Sequence, residues 1–514
     1  MDKHLSEKAL KILKNKDTIV LNNPKSLKNK IFKKERKVSV VIAAYNAASY
    51  IQNCIDSVLN QTLHFELIEL IVIDDHSNDD TANIILNYAK MHSNITVVLL
   101  KENTGTAAMP RNIGIELTTT EKIIFLDSDD WLAENALSTL VSTMDETEDD
   151  FVVGKTVKVE DKGESILAEF VSYKVRKHVS PFDIPYLFYH MGPQSKLMRT
   201  SILKENNIRF PEMKFGEDKY FLFNVLSKCS KVTTIKDPIC YLNRLSTNNS
   251  SLTKTTEVLD KRAADMMILK YILDKQVPLE QEKVFMKRLV EYDLVKTCDS
   301  FVFVKSKEKL KFIEIIREAL YRLKGRSYDI IEMFDTPLYK VAARLIESKR
   351  DQDFIELFQW YKLEKNKHII IQNGIAYYKV TPFSDDDPFK LIPIDLFVRS
   401  KDSYVEDNHY VQTFEIYGEC ITKVEYVLIR DRHQLANEIE IPLKINGNVG
   451  EFRVNYNELN RLDNSLFSVF VRYDGFRLAN IRRMLENQVT YDNRNFVFYT
   501  TKVGNVGLSL KEKE

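Results

Sequence analysis

The sequence predicts an α/β domain with a mostly parallel sheet, followed by a helical region and an antiparallel β domain. Between residues 38 and 250, short apolar runs alternate with amphipathic stretches, as they do in parallel α/β domains. From 257 to 349, apolar residues recur every three or four positions, which indicates helices. After the Asp- and Pro-rich segment Thr381–Pro388, polar and apolar residues alternate as in antiparallel strands. Because 514 residues exceed one hydrophobic core, about two to four domains are expected.

The α/β domain should contain four strands whose near-continuous apolar runs suit burial on both faces of a sheet. They are Val38–Ala43, Leu67–Ile73, Ile95–Leu100 and Lys122–Leu126. The amphipathic stretches Tyr50–Leu59 and Thr81–His92 are predicted as helices between them. In such sheets the ligand crevice lies at the carboxyl ends of the strands.

These patterns divide the chain into four parts. They are a basic N-terminal extension (1–37), the α/β domain (38–255), a helical connector (256–360) and a β-rich, sandwich-like domain (361–514). In the last part, Thr413–Tyr417, Val424–Ile429 and Leu466–Arg472 are predicted strands. No catalytic cluster is recognisable there, so we expect self-association, although Tyr404 and Tyr410 could instead bind carbohydrate.

The composition limits the location and the partners of the protein. Its 74 basic and 74 acidic side chains balance, so no nucleic-acid partner is indicated. Five scattered cysteines without Cys-x-x-Cys spacing favour neither a zinc site nor a disulfide framework, and they fit a reducing cytoplasm. No apolar run approaches the roughly 20 residues of a membrane helix, and the N-terminus lacks the apolar core of a secretory signal. A soluble or peripheral cytoplasmic protein is expected.

The first 37 residues carry twelve Lys or Arg and four Asp or Glu, an excess of eight positive charges. The densest stretch is Lys28–Lys37. Two interpretations remain open for this extension. It could contact the anionic inner face of a membrane, where each basic residue contributes on the order of 1 kcal/mol, or it could be a solvated, mobile leader.

Polar residues follow each predicted strand of the α/β domain. Tyr45 follows the first, Asp75 the second, and a loop with Asn103 and Arg111 the third. A carboxylate there can accept hydrogen bonds from a nucleobase or ribose, and Arg111 can reach a base carbonyl or phosphate oxygens. Taken alone, Tyr45 could be an aromatic residue at the edge of the core, and Arg111 could be an ordinary ion-pair partner. Four strand ends that aim polar groups at one crevice favour a ligand site.

Asp127, Ser128 and Asp129 follow the fourth strand. Mg²⁺ and Mn²⁺ prefer carboxylate oxygens and keep positions open for phosphate ligands, so this cluster could hold a divalent cation against a diphosphate. The alternative is a turn or the N-cap of the next helix, to which Asp is well suited.

Glu217 and Asp218 precede an amphipathic helix and could simply be helix-start residues. Transfer of a group to a hydroxyl requires removal of the hydroxyl proton as the new bond forms. We predict that Asp218 is the base for such a step.

These motifs, in this order, resemble those of family 2 glycosyltransferases with the GT-A fold. The matching segments are Val38–Asn46, Val72–Thr81, Pro110–Gly114, Leu126–Asp130 and Gly216–Asp218. The resemblance covers residues 38 to 250 and implies a GT-A, Rossmann-like catalytic domain. It also implies an inverting transferase that uses a UDP-sugar together with Mn²⁺ or Mg²⁺.

The resemblance further implies a role for each matching residue. Uridine would be held by Ala43, Tyr45, Asp75, Asn103 and Arg111, ribose and diphosphate by Asp127 and Ser128, and the metal by Asp129. Asp218 would be the catalytic base, Glu217 would orient it or the sugar, and Arg244 and Ser250 would belong to a lid, Tyr241–Thr253.

Two positions depart from the family pattern. Ala43 stands where many relatives have Pro, and His76 replaces a common Gly. Both lie near the expected base pocket.

The order of domains and the segment Tyr499–Ser509 are similar to those of staphylococcal wall teichoic acid glycosyltransferases. That similarity implies transfer of N-acetylglucosamine, or another hexose derivative, to poly(ribitol phosphate) or a related polymer. It also implies that the C-terminal β domain forms a trimer. A capsular or other surface polysaccharide is the alternative acceptor.

Two other functions compete with glycosyl transfer. Nucleotidyl transfer on a similar sheet usually needs a Gly-rich loop after the first strand, which Ala43–Ala48 does not provide. A noncatalytic polymer-binding or assembly protein would bind an acceptor without consuming UDP-sugar, and the metal, base and uridine positions argue against it.

Overall fold

The computed structural model describes residues 2–26, 35–245, 257–483 and 486–513. The chain forms two compact units. The first comprises residues 1–161 and 165–288, and the second comprises residues 162–164 and 289–514.

The first unit is built on an eleven-stranded sheet with helices around it. Its strands are β1 (Ile19–Leu21), β2 (Val38–Ala44), β3 (Ile68–Asp74), β4 (Ile95–Leu99), β5 (Lys122–Asp127), β6 (Trp131–Leu132), β7 (Phe151–Glu160), β8 (Gly163–Leu167), β9 (Arg176–Val179), β10 (Lys196–Arg199) and β11 (Val232–Asn243). Its helices are α1 (Asp2–Leu13), α2 (Ile51–Leu59), α3 (Thr81–Met91), α4 (Ala108–Leu117), α5 (Ala136–Thr147), α6 (Glu169–Ser172), α7 (Thr200–Glu205), α8 (Glu217–Leu226), α9 (Val258–Lys275) and α10 (Leu279–Lys287).

The centre of this sheet is parallel, as the sequence predicts. The order is β1-β4-β3-β2-β5-β10-β7-β11-β6, with β2 parallel to both β3 and β5. The four predicted strands are confirmed, each within one residue at its ends. Their Val and Ile side chains are fully buried, together with those of α2 and α5. This is the GT-A-type, Rossmann-like mixed sheet that was expected.

The N-terminal segment is part of the first unit. Leu5 and Ala9, one helical turn apart on α1, are buried, and Ser6 Oγ donates a hydrogen bond to Glu116 Oε1 on α4 at 2.6 Å. Strand β1 pairs antiparallel with β4, with Ile19 opposite Leu99. The described residues before 27 are therefore not a mobile leader. Most of the dense basic stretch 28–37 lies outside the described residues.

The second unit begins with helices and continues with strands. A π-helical segment, Arg288–Val295, leads into α11 (Lys296–Cys298), α12 (Phe301–Lys305), α13 (Lys309–Leu323), α14 (Pro337–Glu347) and α15 (Asp351–Leu363); α16 (Tyr456–Leu459) comes later. The strands are β12 (Ile369–Gln372), β13 (Ile375–Lys379), β14 (Leu391–Pro393), β15 (Phe397–Glu406), β16 (His409–Tyr417), β17 (Val424–Asp431), β18 (Glu438–Asn446), β19 (Val449–Asn455), β20 (Leu466–Tyr473), β21 (Arg477–Arg482), β22 (Asn487–Tyr491), β23 (Arg494–Thr500) and β24 (Val506–Glu512).

The C-terminal sheet confirms the predicted antiparallel β domain. Its order is β17-β18-β19-β16-β15-β21-β20-β24-β23-β22, and β17 also pairs with β20, which closes a ring of strands. Only the short contact of β15 with β21 is parallel among these pairings of described residues. Tyr410 is not available to bind carbohydrate, because it is fully buried and stacks on Phe498 with ring centroids 3.6 Å apart. Tyr404 is 41% exposed.

Among the helices that the structure describes, none combines the length and the apolar character that crossing a membrane requires.

Candidate functional site

The sheet register brings the predicted site segments to one edge. Ala43 is the partner of Asp127 across β2 and β5, and Ala44 is the partner of Asp74 across β2 and β3. The amide of Asp75 donates to the Ala44 carbonyl at 2.8 Å. Three strands therefore end side by side, as the sequence predicts.

Asp75 is held in a small polar pocket at this edge. Its side chain is buried, and its Oδ1 and Oδ2 accept hydrogen bonds from the amide and the hydroxyl of Thr104, each at 3.0 Å. Burial raises the pKa of Asp75 to about 6. Each carboxylate oxygen has two lone pairs, so Asp75 can still accept hydrogen bonds from a ligand.

Asn103 shapes the loop beside Asp75. Its Nδ2 donates to the Asp75 carbonyl at 2.9 Å, and its Oδ1 accepts from the Gly105 amide at 2.7 Å. The predicted neighbours Asp75 and Asn103 do come together. Asn103, however, uses its side chain to hold the backbone of the loop.

Tyr45 and His76 lie on the loops that follow β2 and β3. The Tyr45 side chain is 47% exposed, so its ring is accessible to a flat ligand. The two loops are tied together, because the Asn46 amide donates to Ser77 Oγ at 2.9 Å and Asn46 Oδ1 accepts from the Asn78 amide at 2.8 Å. His76 has a φ of +63°. That left-handed conformation is uncommon for residues other than glycine.

Arg111 lies between carboxylates that come from two different elements. It is buried on α4, with Nη2 donating to Asp127 Oδ1 at 2.7 Å and Nη1 donating to Asp218 Oδ1 at 2.9 Å. Nη1 is also 3.8 Å from Glu217 Oε1, and the guanidinium lies over the Phe210 ring. The Arg111 guanidinium therefore contacts carboxylates, whereas the sequence predicted contact with a base carbonyl or phosphate oxygens.

Asp127 uses both carboxylate oxygens within the protein. Oδ1 accepts from Arg111, and Oδ2 accepts from Gln194 Nε2 at 2.5 Å. The charge of Arg111 and these hydrogen bonds lower the pKa of Asp127 against the effect of its burial. Asp127 is thus ionised and fixed in orientation at the end of β5.

Asp129 stands two residues further on, in the turn that leaves the sheet, and its side chain is 29% exposed. Arg244 Nη1 lies 3.9 Å from Asp129 Oδ2 and 3.7 Å from Asp130 Oδ1. The buried Asp130 accepts a hydrogen bond from the Asn243 amide at 2.9 Å. Arg244, a predicted lid residue, therefore lies beside the acidic turn, whereas Ser250 lies outside the described residues.

The acidic turn fits a divalent cation held jointly with a substrate. Within the described ranges, no three His, Cys, Asp or Glu side chains could enclose a metal by themselves. Mg²⁺ and its analogues commonly take one or two carboxylates and complete their coordination with phosphate oxygens and water. Asp129 supplies such a carboxylate. The neighbouring buried Asp130 Oδ2, which lacks a hydrogen-bond partner among the described residues, favours a positive charge there.

Glu217 and Asp218 form the first turn of α8. Gly216 precedes them with a φ of +85°, a left-handed conformation in which glycine is favoured. Burial raises the pKa of Asp218 to about 6. Burial and the adjacent Asp218 charge raise the pKa of Glu217 to about 8. At neutral pH Asp218 is therefore the ionised member of the pair and the better proton acceptor.

Gln194 and Lys196 belong to the site but were missed by sequence reasoning. Both side chains are buried, at 8% and 0% exposure. The pair Gly192-Pro193 predicts a turn before them, and no motif in the sequence marks them as functional. Only the fold brings this loop against Asp127.

Comparison with known proteins shows the family of the chain. The model of the family described as glycosyl transferase family 2 matches residues 39–205. The poly(ribitol-phosphate) β-N-acetylglucosaminyltransferase TarP of Staphylococcus aureus is 35% identical over 229 residues, which cover 43% of this chain and 68% of TarP. The chain belongs to glycosyl transferase family 2.

Another relative of this family 2 glycosyltransferase shares a smaller part of its own length with it. The poly(ribitol-phosphate) β-glucosyltransferase of Bacillus spizizenii is 34% identical over 202 residues, 39% of this chain but only 31% of that relative. The crystal structure of S. aureus TarS covers 93% of this chain and 86% of the TarS chain, with a TM-score of 0.57 and 19% identity. That similarity shows a shared fold, including the helical and β regions that follow the catalytic sheet.

Proposed function

We propose that the protein is an inverting glycosyltransferase that moves a sugar from a UDP-sugar to a hydroxyl of an anionic cell-wall polymer such as poly(ribitol phosphate). The observation that carries this proposal is the double contact of Arg111. It binds Asp127 at the end of β5 and Asp218 at the start of α8, so the acidic turn and the base belong to one site. The relatives named for poly(ribitol-phosphate) transfer support the acceptor.

The reaction would be a single in-line displacement at the anomeric carbon. Asp218 accepts the proton of the acceptor hydroxyl while the new glycosidic bond forms. The bond between the anomeric carbon and the diphosphate oxygen breaks, and its electron pair leaves with UDP. Because the nucleophile enters opposite the leaving group, an α-linked UDP-sugar gives a β-linked product.

The other site residues bind and orient the donor. Asp75 and Tyr45 would hold the uracil and Ala43 would lie beside it, while Asn103 keeps the pocket loop in place. A divalent cation, Mn²⁺ or Mg²⁺, would lie on Asp129 and neutralise the charge that develops on the diphosphate, a contribution of several kcal/mol. Arg111 serves as the bridge that fixes Asp127 and Asp218, and Arg244 and Ser128 would face the diphosphate.

N-acetylglucosamine is the proposed sugar, with glucose as the main competitor. TarP is named for N-acetylglucosamine transfer and the Bacillus relative for glucose transfer. The second unit would mediate trimer formation, and the basic stretch 28–37 would allow peripheral contact with an anionic membrane.

A UDP-release screen with the full-length protein tests this function. UDP-N-acetylglucosamine, UDP-glucose and UDP-galactose are each offered with poly(ribitol phosphate) or poly(glycerol phosphate), with Mn²⁺, Mg²⁺ or a chelator. We expect UDP release that requires UDP-N-acetylglucosamine, poly(ribitol phosphate) and a divalent cation. Failure to consume any donor would overturn the proposal. UDP release with a different acceptor would show that this acceptor, and not poly(ribitol phosphate), is the substrate.

Asp218→Asn tests the base within the same screen. The amide keeps the size of the side chain but cannot accept the proton, so turnover should fall by about 10²- to 10⁴-fold while UDP still binds. The matched control is Glu205→Gln, which changes an exposed carboxylate on α7 of the same unit and should leave turnover unchanged. Near-normal turnover of Asp218→Asn would exclude Asp218 as the base.

A further inference from the structure

The buried residues Gln194 and Lys196 are linked to Asp127 by two successive hydrogen bonds. Gln194 Nε2 donates to Asp127 Oδ2 at 2.5 Å, and the Gln194 carbonyl accepts from Lys196 Nζ at 3.1 Å. Ser195, between them, has a φ of +58° and is fully buried. This left-handed conformation costs roughly 1–2 kcal/mol for a residue with a Cβ. The loop is therefore held in an unfavourable conformation that places Gln194 against Asp127.

The ammonium group of Lys196 is fully buried at the start of β10. It donates to the Gln194 carbonyl and to His190 Nδ1, the latter at 3.2 Å, and no carboxylate of the described residues forms an ion pair with it. Burial lowers the pKa of Lys196 to about 7, and the charge of Asp218 acts in the opposite direction. Lys196 thus interacts electrostatically with the proposed base without touching it.

The groups that are hydrogen-bonded in series beyond Lys196 carry no other charge. Because His190 Nδ1 accepts from Lys196, the proton of the neutral imidazole is on Nε2, which lies 3.4 Å from Thr156 Oγ1. Thr156 Oγ1 donates to Ser195 Oγ at 2.8 Å, and Ser195 Oγ donates to the Lys155 carbonyl at 3.2 Å. Burial also lowers the pKa of His190, which keeps it neutral. The chain ends on a backbone carbonyl, so Lys196 is its one cationic member.

A role in packing alone does not account for this lysine. Burial of a charged group is unfavourable, and an apolar side chain of similar length would fill the same space without that desolvation. A buried positive charge is useful where a nearby carboxylate has to stay ionised. Asp218 is such a carboxylate, and it interacts with Lys196.

We propose that Gln194 and Lys196 are positioning residues of the transfer site, in which Gln194 fixes Asp127, and through it Arg111, while Lys196 holds the backbone carbonyl of Gln194 and adds a positive charge to the Arg111–Asp218 pair. This inference rests on the proposed function, because the base matters only if a hydroxyl is deprotonated. The charged groups that interact with Asp218 are Arg111 from α4, which touches it, Asp127 from β5, Lys196 from β10 and Glu217 from its own helix. Arg111 and Lys196 favour its ionised form, and Asp127 opposes it.

The pH profile of Lys196→Met tests the charge of Lys196. Methionine fills a similar volume without a charge, so Asp218 should be protonated more easily. We expect the acidic limb of the kcat profile to move to higher pH by at least about 0.5 unit and kcat to fall by about 10- to 100-fold. The donor KM should stay within about threefold of the wild type, because the uridine pocket at Asp75 is unchanged.

Lys204→Met is the matched control. Lys204 is a partly buried lysine of the first unit, and its Nζ donates to the Thr118 carbonyl at 2.5 Å. Its variant should leave the position of the acidic limb unchanged, even if the protein becomes less stable. An equal shift in both lysine variants, or no shift in Lys196→Met, would overturn the proposal.

A melting experiment tests the same coupling without turnover. At pH 6.5 the change in Tm caused by Lys196→Met should be less favourable in the wild type than in Asp218→Asn, where the attraction is already absent. Equal changes in Tm in the two backgrounds would overturn the inference. If Lys196→Met does not fold, Lys196→Gln, which keeps a donor for the Gln194 carbonyl, replaces it in both measurements. A wild type that releases UDP from no donor contradicts the proposed function, and the melting cycle still decides the Lys196–Asp218 coupling.

Discussion

At the scale of single residues, the charges of the site depend on Arg111. One buried guanidinium lies between Asp127 and Asp218 and close to Glu217. Removal of one partner from a buried ion pair typically costs about 3–5 kcal/mol, because the remaining charge is left without compensation. Arg111 therefore keeps carboxylates from two separate elements close together, which makes a shared donor and base site possible.

The raised pKa of Asp218 predicts how transfer responds to pH. A base must be ionised to accept a proton, and burial raises the pKa of Asp218 to about 6. The ionised fraction therefore falls as the pH drops below about 6, so kcat should decline on the acidic side and be retained above it. Measurement of UDP release from pH 5 to 8 at saturating donor checks this. A kcat that rises as the pH falls through this range would contradict Asp218 as the base.

The sequence predicts residue types at this site better than it predicts their partners. Asp75, Asp127, Asp129 and Asp218 could be chosen because each stands at the end of a strand or the start of a helix. The contact of Arg111 with Asp218 joins residues 107 positions apart, and spacing along the chain does not reveal such contacts. Gln194 and Lys196 carry no local signal for the same reason.

At the scale of elements, the start of α8 sets the position of the base. Gly216 has a φ of +85°, and a Cβ at this position would lie 3.0 Å from Ile268 Cδ1. The helix thus begins immediately after a left-handed residue that a side chain would strain. Glu217 and Asp218 are held at the first turn as a result, and the helix N-terminus favours the negative charge of Asp218.

Gly216→Ala should weaken both stability and catalysis. The left-handed conformation costs roughly 1–2 kcal/mol with a Cβ, and relief of the contact with Ile268 would shift Asp218. A lower Tm and a drop in kcat of about tenfold or more are expected, since small misplacements of catalytic groups are costly.

Gly325→Ala is the matched control for this substitution. Gly325 has a φ of +87°, and a Cβ at this position would meet no atom within 4 Å, so the residue shares the backbone strain but not the contact. Gly325→Ala should lower the Tm, while UDP release stays at the wild-type rate. Comparable losses of activity in both variants would show that the position of α8 is not what matters.

The N-terminal helix shows what the sequence pattern did not distinguish. Leu5 and Ala9 form an apolar stripe one turn apart, but the surrounding lysines made a leader equally consistent with the sequence. In the fold, α1 packs on α4 and β1 extends the sheet. Both elements are short, so tertiary contacts and not local propensity decide their structure.

At the scale of the whole molecule, the order of the sheets and helices was predictable from the sequence, whereas the closure of the C-terminal sheet into a ring was not. Alternation of apolar runs predicted the parallel sheet, the helices and the antiparallel C-terminal sheet in the correct order. The pairing of β17 with β20, which closes the C-terminal ring, joins strands that are not adjacent in the chain. Tyr410 lies inside this sheet against Phe498, which alternation alone did not indicate.

Asp75, Asp129 and Asp218 are proposed to surround one donor site, and a crystal structure with UDP and Mn²⁺ tests this arrangement most directly. Anomalous scattering from Mn²⁺ would locate the metal independently of the protein. The uracil should lie against Asp75 and Tyr45, the metal should be bonded to Asp129 and the diphosphate, and Asp218 should face the open side of the diphosphate. UDP bound away from this edge of the sheet, or a metal that Asp129 does not touch, would contradict the account.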